Sequence, residues 1–80
     1  MDDSQIRDRI EALVDEEHRL LKAGGEGGLA PDEHARLRQV TIELDTCWDL
    51  LRQRRARREA GQSPDLAEPR SPGTVEGYLQ

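Results

Sequence analysis

The chain has no phenylalanine, one tryptophan, one tyrosine and one cysteine among its 80 residues. So few aromatics exclude a large aromatic core, and none is interleaved with basic residues as a stacking platform for bases would require. A single cysteine cannot form an internal disulfide, so nothing implies an oxidising compartment. No apolar run approaches the ~20 residues that a membrane span needs. The opening MDDSQIRDRIEAL carries acids where a secretory leader carries bases. The expectation is a cytoplasmic protein without a membrane partner.

What the chain does have is charge and helical periodicity. Charged residues make up 36% of it against 34% hydrophobic, and the net charge is −5. At this length a single core stabilises only marginally. The acid excess is uneven: residues 1–22 carry seven acids against four bases, whereas residues 23–60 carry seven of each. A net acidic chain argues against a dedicated nucleic-acid binder, which presents a basic surface.

Apolar residues in the first quarter fall at Ile6, Ile10, Leu13 and Leu20, with Glu17 interrupting the stripe and Val14 and Leu21 widening it. Steps of three and four predict a helix over about residues 3–23. Asp2, Asp3 or Ser4 can cap it, and Gly24 and Gly25 stop it. The loop GGEGGLA has neither a preceding strand nor a following Gly-Lys-Ser/Thr, so it is a connector and not a phosphate cradle. Pro31 suits the first turn of a second helix over about 31–60, with Asp32 and Glu33 beside its positive end. Its stripe is Leu37, Val40, Leu44, Cys47 and Leu51, joined by Trp48.

A short loop makes the two helices antiparallel neighbours. Setting residue 22 against residue 31 makes facing numbers sum to about 53. Ile6 then meets Cys47 and Trp48, Ile10 meets Leu44, Leu13 meets Val40, and Glu17 faces Arg36. The fold class is all-α, a coiled-coil-like antiparallel hairpin within residues 1–60. Its core comprises Ile6, Ile10, Leu13, Leu20, Leu37, Val40, Leu44, Cys47, Trp48 and Leu51. Ile42 and Leu50 fall on the opposite side of the second helix. Residues 61–80 hold three prolines and no period, which predicts an extended or disordered, flexible tail ending in the short apolar group Val75, Tyr78 and Leu79.

Five arginines follow the second stripe: Arg52, Arg54, Arg55, Arg57 and Arg58. In the expected register they project past the first helix by roughly 13 Å, at about 1.5 Å per residue, beside Asp2 and Asp3. They form a candidate docking surface, since guanidinium forks grip carboxylates and phosphates. They also suit the negative end of the helix dipole and can pair with the acidic N-terminus. His18 and His34 sit near carboxylates, and Asp15 stands three residues before His18. Pro31 replaces the matching carboxylate before His34, so these are solvated histidines and not a metal site. Cys47 has no activating base and reads as a small apolar packing residue. No catalytic residue, cofactor site, metal site or small-molecule substrate is indicated.

The run LDTCWDLLRQRRARREAG resembles a family of short, mostly actinobacterial proteins known as domain of unknown function 2630. IxxRIxxLVxEEHRL in the first helix, EHARLRQ at the start of the second, and VEGY near the end extend the resemblance along the chain. It implies a cytoplasmic bacterial helical hairpin and brings no activity or cofactor. The reading is therefore a non-enzymatic protein-interaction module, self-associating as a homodimer or binding a protein partner. Its alternative is an accessory factor that meets nucleic acid or the ribosomal or transcriptional machinery through Arg52–Arg58.

Overall fold

The computed structural model describes residues 1–25, 27–71 and 73. Two long helices run antiparallel, α1 over Asp3–Gly24 and α2 over Pro31–Glu59, followed by a single 3₁₀ turn over Pro64–Leu66. Val75, Tyr78 and Leu79 lie outside the described residues.

The helix ends are set locally. Asp2 caps α1: its carboxylate accepts from the Gln5 amide at 2.8 Å, and the Gln5 side chain accepts from the Asp2 amide at 2.9 Å. This reciprocal box satisfies two otherwise free donors. At the far end Gly24 is buried against Leu29, and Gly25 takes φ 43°, a left-handed value that glycine adopts without strain. α2 starts with half a box. The Glu33 carboxylate accepts from the Ala30 amide at 2.9 Å, but Ala30 offers no side-chain acceptor in return. α2 ends as Gly61, at φ 74°, turns the chain while its amide donates to Arg58 and that of Gln62 to Arg57.

The core is small. Ile6, Ile10, Leu13, Val40, Leu44 and Leu50 are buried, and Val14, Leu20, Cys47, Leu51 and Ala67 pack against them. The a/d stripe thus places most of its members. Trp48 is an exception: it is 48% exposed and lies on the flank of the hairpin, not in its core. Leu37 is half-buried outside the core cluster.

One cross-helix ion pair differs from expectation. Arg36 grips both carboxylate oxygens of Glu16, not Glu17, and Arg9 bonds Glu43 at 2.5 Å. Facing numbers on this flank sum to 52. Glu17 continues the line of the apolar stripe, where an ion pair would be desolvated; Glu16 lies on the wet flank, where a forked pair forms at little cost.

Of the expected tail, the described residues 61–71 are mostly exposed, with Pro64, Ala67 and Arg70 half-buried. They turn back along α2, with the Ser63 hydroxyl capping the 3₁₀ turn at the Asp65 amide. Ala67 joins the core, and Leu50, expected on an exposed side, is covered. The physical reason is polar as much as apolar: the buried carboxylate of Asp49 accepts from Gln53 at 2.9 Å and faces Arg70 at 3.4 Å, while Gln53 also donates to the Glu68 carbonyl at 2.8 Å.

Candidate interaction surfaces

The arginine group divides into residues with different fates. Arg54 is 6% exposed. Its Nε donates to Asp3 at 2.5 Å, and its Nη1 donates to the Pro64 carbonyl at 3.3 Å and to Asp65 at 3.2 Å. One guanidinium therefore ties the start of α1, the end of α2 and the 3₁₀ turn. It is a structural clasp, and as part of a docking surface it is withdrawn. Arg58 reaches the same Asp3 oxygen at 2.5 Å. Bonds from Arg54 and then Arg58 hold the Asp3 carboxyl below the usual carboxylate range, and Asp3 in turn raises the Arg54 guanidinium further.

The other arginines are exposed or half-exposed. Arg55 pairs with Glu59 at 3.0 Å within the helix, Arg57 donates to Gln62 at 3.0 Å, and Arg52 stands 3.9 Å from Asp49. Arg52, Arg55 and Arg58 line a cleft of about 230 Å³ with Arg7, Asp3, Trp48 and Leu51. Four arginines, one aspartate and an indole line it, in a chain whose net charge is −5. Sequence reasoning missed Arg7, which enters from α1. It also missed that Trp48, four and seven residues before Arg52 and Arg55, shares their face; helical spacing alone carries that signal.

The two flanks of the hairpin differ in kind. On one, Arg9 and Glu16 of α1, seven residues apart, are bonded to Glu43 and Arg36 of α2, also seven apart. Arg36 is the largest cause holding the Glu16 carboxyl below its ordinary range. On the other, the seven-residue line from Arg7 passes Val14 and Leu21, and α2 presents Leu37 and Trp48. Leu21 is 56% exposed there. Cross-helix ion pairs mark the first flank; on the second, Leu21 and Trp48 are exposed, with arginines around Trp48.

The remaining candidates fall elsewhere. His18 lies in an open depression with Asp15, Arg19, Leu21 and Lys22, and His34 is not part of it. Among the described residues, no group of three or more His, Cys, Asp or Glu side chains is placed to hold a metal ion. Cys47 is half-buried and its thiol is pushed up, first by burial. A second cleft of about 310 Å³, lined mainly by apolar atoms, lies beside Cys47 and Leu50 on the ion-paired flank. Among the described residues, no helix is long and apolar enough to cross a membrane.

Comparison with known proteins gives a family and no activity. The model of the family described as protein of unknown function (DUF2630) matches residues 2–80. The uncharacterized protein Rv0898c of Mycobacterium tuberculosis and the uncharacterized protein Mb0922c of Mycobacterium bovis are each 47% identical over 77 residues, which is 95% of this chain and 88% of theirs. No solved structure matches the chain.

Proposed function

The chain belongs to that family, and we propose that it is a non-enzymatic protein-interaction module of the cytoplasm, a hairpin that pairs with a second copy through its open flank. The observation that carries this reading is the half-exposed Trp48, set among arginines and in line with Val14, Leu21 and Leu37. Tryptophan and arginine are the residues most enriched at the energetic centre of protein contacts. Heptad-spaced apolar positions on both helices suit the face-to-face stacking of two hairpins into a four-helix bundle. The molecule is also thin, with extents of 51 × 25 × 15 Å. A slab about one helix deep leaves one side of each helix without a packing partner, and a second slab supplies it.

Light scattering after gel filtration tests the reading. A dimer at micromolar concentration, reduced to a folded monomer by Trp48→Ala or Leu21→Asp, is the expected result. A folded wild-type monomer at that concentration overturns it.

A second reading follows from the cleft itself. Trp48 between Arg7, Arg52 and Arg55 supplies the stacking surface that the sequence did not reveal, and this favours an anionic, base-bearing partner such as single-stranded nucleic acid. Binding would weaken steeply with salt and disappear in Arg52→Gln/Arg55→Gln. No binding at low salt removes this reading.

A further inference from the structure

The cleft at Trp48 offers a single ring for stacking and several cations, Arg7, Arg52, Arg55 and Arg58. One base with several phosphates has the same proportions. Building on the second reading above, we propose that the cleft binds one nucleoside polyphosphate, its base on Trp48 and its phosphate chain on Arg7, Arg52 and Arg55.

These cations are available to a new partner. Arg7 makes no hydrogen bond or ion pair among the described residues. Arg52, with a side chain 58% exposed, stands a loose 3.9 Å from Asp49. Arg55 and Glu59 are paired in the open, so a phosphate displaces that carboxylate at little cost. The carboxylate in the lining, Asp3, is neutralised in advance by Arg54 and Arg58. Spacing then sets the length of the ligand. Arg52 and Arg55 follow Trp48 by four and seven residues, about 6 and 10 Å along the axis and within about 40° of it around the helix. A ligand that runs from a stacked base through its sugar to a phosphate chain extends along the same line. Beyond the cleft the basic surface stops: α1 continues from Arg7 to exposed Glu11 and Asp15, and α2 ends at Glu59. Surfaces that hold a strand are grooves tracking its backbone over several nucleotides. A strand here would carry its phosphates over those acids, whereas a ligand confined to a cleft of about 230 Å³ does not. The sequence indicates no small-molecule ligand because Arg7 joins Trp48 only in the fold.

Trp48 is the only tryptophan, so its fluorescence reports occupancy directly. The full chain, dilute enough to keep Trp48 from a second copy, is titrated at low salt with ATP, AMP and an unphosphorylated single-stranded oligonucleotide. Stacking accepts any base, so adenine serves. ATP should quench saturably and bind roughly tenfold more tightly than AMP, because each added phosphate gains charge-assisted bonds. Arg7→Gln/Arg52→Gln removes from the folded chain only the loose Asp49 contact. It should weaken ATP binding by a similar factor, with helicity unchanged. Equal affinities for ATP and AMP, or unchanged ATP binding in that variant, overturn the proposal. Oligonucleotide binding without ATP binding overturns it and leaves the strand reading standing. No response to either removes both.

Discussion

Asp3 and Arg54, fifty-one residues apart in sequence, meet through a 2.5 Å hydrogen bond, and Arg54 passes the connection on to Asp65. This contact holds the open end of the hairpin, where α2 outruns α1 and the chain turns back through the 3₁₀ turn. Arg54→Ala leaves the Asp3 carboxylate with Arg58 alone and cuts the link to Pro64 and Asp65. It should lower the melting temperature by clearly more than Arg55→Ala, whose exposed pair with Glu59 is worth little. Thermal unfolding of the two variants side by side checks the order.

Acid should weaken the fold through two carboxylates. Asp3 and Glu16 are both held below the ordinary range by arginine partners. On the acid side of neutrality the unfolded chain therefore binds protons before the folded one does. The stability these groups contribute is present above the unfolded-state values and is lost as pH falls through the folded-state values, from about pH 5 downward. Urea midpoints should drop across that window, and Asp3→Asn with Glu16→Gln should flatten the drop. An unchanged slope in the double variant contradicts the assignment.

The half-built cap of α2 can be completed. Ala30 occupies the N-cap position with extended backbone angles and no acceptor, while Glu33 already makes the reciprocal bond. Ala30→Ser should add about 1 kcal/mol of stability, read as a higher denaturant midpoint with an unchanged slope. No gain would mean that a hydroxyl at this position does not reach the Glu33 amide.

Leu50 and Trp48 exchange the roles that their spacing suggests. Leu50→Ala removes a buried side chain beneath the returning tail and should cost about 2–3 kcal/mol. Trp48→Ala removes a half-exposed one and should cost about 1 kcal/mol or less in the dissociated monomer. Equilibrium unfolding at low protein concentration separates these values from any contribution of self-association.

The helices were legible because their causes are local. Asp2, the Gly24–Gly25 pair, Pro31 and Gly61 act on the residues beside them, and an apolar period of three and four names the inner face of each helix. The short loop then leaves the antiparallel hairpin, with only the partner of Arg36 misplaced, by one residue. The candidate surface was less legible. Helical spacing could have joined Trp48 to Arg52 and Arg55, but nothing local to α2 announces Arg7.

By itself, then, the sequence determined two amphipathic helices, their order and the stripe along which they meet. The tertiary structure alone decided which arginine would be buried, which flank would carry the cross-helix ion pairs, and that residues 61–71 would turn back beside α2. Each of those outcomes rests on pairs remote along the chain: Arg54 with Asp3, Asp49 with Arg70, Leu50 with Ala67. A periodicity reports which side of one helix is apolar. It carries no information about which distant carboxylate will reach an arginine, because that depends on where the whole chain places both.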